Sequence, residues 1–271
     1  METISIQWSL VLFTALTGIA GWTFVCVAAD EFLGRAKAAA FPAGIAAFVL
    51  AVVGGLASVT HLSHPDRIMG ALGHPTSGIF TEAVLVGLLC VFVAVYLVML
   101  KRGASDGARK VVAVIGAVFG VLISFMAGES YMMSSRPAWD TLLLPLGYML
   151  TAMPGGVACY LVVVAAKAKD AQVGEYAKAL LVAGVLAAIG AVAFAAAAGQ
   201  ADGAALGCVV AAAVLAGVVP AVCGALLPKK PQQLMALAAG SLACAAVGIV
   251  CYRCLMWMVS EPVANLFLNI L

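Results

Sequence analysis

Charge is what this sequence has least of. Only 10% of its 271 residues are Asp, Glu, Lys or Arg, and 65% are hydrophobic, whereas a soluble domain carries about 25% charged residues. The shortfall excludes an ordinary water-soluble fold and places the chain in the membrane class. Net charge is only +2, too small for a phosphate-binding surface, so no nucleic-acid partner is expected. Histidine is scarcer still. The three histidines, His61, His64 and His74, fall within 14 residues of one another. A membrane haem is held by histidines on facing helices, which this clustering excludes. His61, His64, His74 and Asp66 have zinc-ligand chemistry, yet their spacing fits no familiar zinc pattern.

Cysteine is present but has no framework. All eight cysteines sit in apolar stretches, as small buried hydrophobes do. Cys251-Tyr-Arg-Cys254 is a C-x-x-C without a second pair, which speaks against a metal or redox box. No metal is therefore expected in this chain. The N-terminus lacks a basic stretch and a small-residue cleavage site, so its long apolar run reads as a first span.

What is present is a series of apolar runs, near 6–29, 38–60, 79–100, 110–132, 141–165, 175–198, 205–227 and 234–258. A span takes about 20 apolar residues, and continuous runs of that length satisfy their backbone in lipid only as helices. The expected fold is an all-α integral membrane protein, a bundle of eight transmembrane helices forming a single domain over 1–271. Small residues such as Gly116-x-x-x-Gly120 allow the helices close approach. Eleven of the fourteen Lys and Arg residues fall in odd-numbered loops. Positive loops stay inside, which leaves both termini and the histidine loop extracytoplasmic.

That orientation gives the polar residues a common depth. His61 ends the second span, Glu82 opens the third, Glu129 lies near the end of the fourth, and Arg253 is about one turn from the end of the eighth. An ionised group inside the bilayer costs about 2.5 kcal/mol or more, so such groups pair or line a functional cavity. Each also has a plainer reading. Glu82 can snorkel to the interface, and Glu129 can hydrate a helix end beside Ser130 and Tyr131. Arg253 can sit in an ion pair inside the bundle. Trp139, Trp257, Tyr131 and Tyr252 can form an interfacial belt. If the site is functional, a diffusible quinone is the redox partner that needs neither haem nor metal. A neutral imidazole is suited to take a proton from its quinol.

The stretch His61-Leu-Ser-His-Pro-Asp-Arg67, followed by Ser77 and Thr81-Glu82, resembles the signature of the membrane anchor subunits of dimethyl sulfoxide reductase. The resemblance extends along the chain: Tyr131 with Pro137-x-Trp139, Pro145-Leu-Gly147-Tyr, Gly155-Gly156 and the final-span Arg253. Ser63 departs from it, standing where that family has glycine. The resemblance implies a haem-free, metal-free subunit in a bacterial cytoplasmic (inner) membrane, working in anaerobic respiration. It would oxidise menaquinol and pass electrons to an iron–sulfur subunit, which feeds a molybdopterin catalytic subunit. His61 would be the quinol-site histidine, with Arg67 and Glu82 beside it; Glu129, Tyr131 and Arg253 complete the candidate quinol-binding or proton-relay set. The other readings are a polysulfide-reductase-type quinone subunit, a small secondary transporter and a purely structural anchor.

Overall fold

The computed structural model describes residues 5–60, 77–168, 171–199 and 203–260. They form eight long helices, and no strand occurs among the described residues. These are α1 (Trp8–Leu33), α2 (Lys37–Val59), α3 (Gly78–Lys101), α4 (Asp106–Glu129), α5 (Leu143–Lys167), α6 (Gly174–Ala198), α7 (Gly203–Leu226) and α8 (Leu234–Met258). All eight are long and apolar enough to cross a membrane. Much of what they expose is aliphatic, including Ile45, Val49, Val53 and Leu56 on α2. In water these residues would form a liability; in a bilayer they are the lipid contact.

Local chemistry sets the helix ends. Ser77 caps α3 by accepting the Phe80 N–H at 3.2 Å, and Ser105 caps α4 through the Ala108 N–H. Helix α1 runs to Leu33, four residues past the expected 29, because its last turn has partners for its carboxylates. Asp30 accepts the backbone N–H groups of Arg35 and Ala36 and the Tyr176 hydroxyl. Glu31 accepts the Tyr96 hydroxyl at 2.7 Å and Arg109 Nε at 3.4 Å. Gly34 then ends the helix in the left-handed region, φ 63°. In α7, residues Ala212–Val218 widen to a π-helix just before Pro220. The wider turn accommodates a ring that would otherwise meet the preceding carbonyl.

Helix α1 is the centre of the bundle, packed on α2, α4 and α5. Glycine makes those contacts possible. Gly21 on α1 lies directly against Gly120 on α4, where a Cβ would stand 2.8 Å from the Gly120 Cα. Gly116, one turn earlier on α4, receives the Phe24 ring. The second half closes α5 against α6 and α8, and α8 against α7. Ten of the twelve described Lys and Arg residues stand at the end where α1 finishes and α2 begins. Arg136 and Arg253 stand toward the other end.

A Gly21→Ala change should therefore separate α1 from α4, at about 1–3 kcal/mol of overpacking. Gly87→Ala, where a Cβ meets nothing within 4 Å, should leave stability unchanged or slightly raised. Thermal unfolding of the detergent-solubilised protein compares them; equal midpoints for the two variants would contradict the packing described.

Candidate functional site

At the end of the bundle opposite the lysines, α8 turns Arg253 inward. Its guanidinium is buried, 1% exposed, where α1, α4, α5 and α8 meet. Nη1 donates to Thr151 Oγ1 at 2.7 Å and Nη2 to the Tyr148 carbonyl at 3.0 Å. The cation lies over the Tyr148 ring, 4.1 Å from its centroid, and 5.6 Å from that of Tyr252. Gly18 of α1 leaves the space: a Cβ there would approach Arg253 Nη2, Ala152 and Ser124. Arg253 Nε has no acceptor. Among the described residues, none of the ion pairs involves Arg253, so the intrabundle ion pair that the sequence allowed has no partner there. Its partners are a hydroxyl, a carbonyl and two ring faces, all uncharged.

Aromatic side chains enclose this cation. Tyr131 packs on Trp139, Tyr148 and Trp257, with centroids 6.1, 6.0 and 5.8 Å away. Trp139 meets Trp257 edge-on at 5.5 Å, and Tyr252 links Tyr148 to Phe194. The expected interfacial belt is thus corrected. Trp139, Tyr252 and Trp257 are buried, and the polar atoms of Trp139 and Tyr252 find partners inside. Trp139 Nε1 donates to the Met256 carbonyl at 2.8 Å, and the Tyr252 hydroxyl donates to the Leu144 carbonyl at 3.1 Å. The Tyr252 hydroxyl fits because residue 147 is glycine, where a Cβ would overlap it.

Glu82 joins the cluster from α3. It is buried, and its Oε1 accepts the Ser130 hydroxyl at 2.7 Å. Its snorkelling alternative is therefore not what the fold adopts. Tyr131 is within electrostatic reach of both Glu82 and Arg253. Burial, reinforced by Tyr148 and Glu82 and opposed by Arg253, pushes the Tyr131 phenol well above its usual value near 10. Glu129, by contrast, is exposed at the end of α4 and is not drawn into the cluster. His61 and Arg67 lie outside the described residues, as do Asp66, His64 and His74. The described residues on either side of that segment, Thr60 after α2 and Ser77 before α3, stand at this same end of the bundle.

Glu82, Tyr131 and Arg253, expected together from the sequence, do converge; their partners Thr151, Tyr148 and Ser130 were not expected. Tyr148 and Thr151 are three apart on α5, so they share a face; that spacing was the available signal. Among the described residues, no group of three or more His, Cys, Asp or Glu is placed to hold a metal.

Eight long apolar helices, with a buried polar cluster at one end of the bundle, define a multi-pass membrane protein. The chain belongs to the DMSO reductase anchor subunit (DmsC) family, whose model matches residues 1–259. It is similar to the C chain of the anaerobic dimethyl sulfoxide reductase of Escherichia coli, 28% identical over 160 residues, covering 55% of each polypeptide. It is also similar to the protein of that name from Haemophilus influenzae, 24% identical over 199 residues and 71% of each polypeptide. The match thus spans about half the length of the Escherichia coli relative.

The Tyr131 phenol, held neutral by the fold, should add stability that is fully present below the unfolded pKa of about 10 and is lost as pH rises above it. Tyr131→Phe removes that dependence. Chemical unfolding of both forms from about pH 9 upward, just below that unfolded pKa, checks the sign. A wild-type protein that loses no more stability than the variant would contradict it.

Proposed function

We propose that this chain is the quinol-oxidising membrane anchor of a respiratory molybdoenzyme: a single transmembrane domain in a bacterial inner membrane, with both termini on the outer face. The observation that carries the reading is Arg253, a buried cation that has, among the described residues, an N–H without an acceptor and no carboxylate partner. A buried ion costs several kcal/mol unless it is paired and hydrogen-bonded. Cation–π contact with Tyr148 and two neutral acceptors offset part of that cost. An electron-rich ligand oxygen is the partner whose chemistry completes the site, and menaquinol supplies two.

Menaquinol enters from the lipid between helices, at the end where Glu82, Tyr131 and Arg253 converge. His61 accepts a hydroxyl proton of the quinol, with Arg67 beside it. Quinol oxidation releases two protons with its two electrons. Glu82, held by Ser130, is placed to receive a proton, and exposed Glu129 offers an exit to water. Arg253 orients the oxygen, held in turn by Thr151 and the Tyr148 carbonyl. Tyr131 closes the site as a neutral hydroxyl beside the ring. The electrons go to an iron–sulfur partner docked over the segment between α2 and α3, and from there to a molybdopterin subunit. The excess of lysine and arginine at the opposite end supports this orientation. Family membership supports the partners.

In the assembled complex, His61→Ala and Arg253→Met should each lower menaquinol-dependent turnover by about tenfold or more, as losing a hydrogen bond to a charged group does, and weaken binding of a quinol analogue. Activity driven by a soluble artificial donor to the partner subunits should persist, which shows that assembly is intact. Wild-type menaquinol turnover in both variants would overturn the assignment.

A further inference from the structure

Quinol oxidation as proposed leaves the Pro137-x-Trp139 motif, in the connection between α4 and α5, without a role. The motif folds as a tight turn. The Trp139 backbone N–H donates to the Arg136 carbonyl at 2.9 Å, with Pro137 in second position, where its ring pre-sets the backbone. The turn brings the Arg136 guanidinium over the Trp139 ring, 5.1 Å from its centroid. From there both side chains reach α8. Arg136 Nη1 donates to the Ser260 carbonyl, just past the helix end, and Trp139 Nε1 to the Met256 carbonyl at 2.8 Å. The last turn of a helix leaves carbonyls without intrahelical donors. Ser260 Oγ serves the Trp257 carbonyl locally, at 2.6 Å, whereas the Met256 carbonyl takes its donor from the connection.

Met256 carries that contact inward. Its Sδ accepts the Tyr148 hydroxyl at 3.2 Å, and Tyr148 supplies both the ring against Arg253 and the carbonyl that holds Nη2. The same connection carries Ser130, which holds Glu82, and Tyr131, whose ring packs on Trp139. We infer that Arg136 and Trp139 are positioning residues of the quinol site. They clamp the last turn of α8 to the α4–α5 connection and so set the direction from which Arg253 faces the ligand oxygen. This inference rests on the reading of the cluster as a quinol site. Neither side chain has to meet the quinol, since the Trp139 N–H and one Arg136 N–H are already given to α8. Their effect is on geometry: misplacing a reacting group by about 1 Å can cost on the order of a hundredfold in rate.

Two double-mutant cycles on the assembled complex in membranes, driven by a short-chain menaquinol, test the clamp. Trp139→Phe keeps a ring and loses the N–H. It should lower kcat/KM by about threefold to tenfold, the scale of one hydrogen bond, while activity from a soluble artificial donor is retained. In an Arg253→Met background the same change should cost less than about twofold, because a group that acts through Arg253 has nothing left to position. Arg136→Met is cycled against Arg253→Met in the same way, and decides alone if Trp139→Phe does not assemble. An equal fall in both backgrounds, as a purely structural role gives, would overturn the clamp, and so would wild-type kcat/KM in Trp139→Phe and Arg136→Met. Undiminished menaquinol turnover in Arg253→Met itself would instead overturn the quinol-site reading on which the clamp rests.

Discussion

A buried guanidinium with no counter-ion among the described residues is the constraint around which one end of this bundle is organised. In lipid or protein interior the charge has no water to turn to. Every neighbour of Arg253 answers that need with the weakest sufficient means: one hydroxyl, one carbonyl and the electron-rich faces of two tyrosines. These groups come from α5 and α8, which must therefore stay in register. Gly18 on α1 and Gly147 on α5 remove the side chains that would block the arginine and Tyr252. The residual demand, an N–H without an acceptor among the described residues, is what the proposed ligand oxygen would meet.

The opposite end shows how the same fold treats charge when no ligand is called for. Asp30 is as buried as Arg253, at 2% exposure. Yet its oxygens are occupied by two backbone donors and the Tyr176 hydroxyl. Glu31 is likewise matched by Tyr96 and Arg109. Those carboxylates close the turn between α1 and α2 and tie it to α3, α4 and α6. Those satisfied carboxylates build structure, whereas Arg253 keeps an N–H without an acceptor among the described residues, which the proposed quinol oxygen would meet.

Much of this was legible in the sequence because lipid simplifies the rules. Eight apolar runs became eight helices, since a backbone in hydrocarbon has no other open-chain solution. Their ends were less legible, because Asp30 and Glu31 look like a terminus until their partners are seen across the bundle. Glu82 and Arg253 stood out as charges in apolar stretches, and both are buried. Their partners Ser130, Tyr148 and Thr151 did not stand out, since hydroxyls and carbonyls are ordinary in a helix. The aromatics misled for a related reason. Trp139, Tyr252 and Trp257 sit at interface depth, where a belt is usual, but Trp139 and Tyr252 bond inward to carbonyls of α8 and α5.

The chain belongs to the anchor-subunit family, and the Arg253 cluster is where the proposed quinol chemistry is placed. Photolabelling of the assembled complex with an azido-quinone, followed by peptide mapping, tests that placement directly. Label is expected on the start of α3, on the segment from Ser130 to Trp139, and on the last turns of α8. Label concentrated at the Asp30–Tyr176 end, or spread over lipid-facing residues without displacement by excess menaquinol, would contradict it.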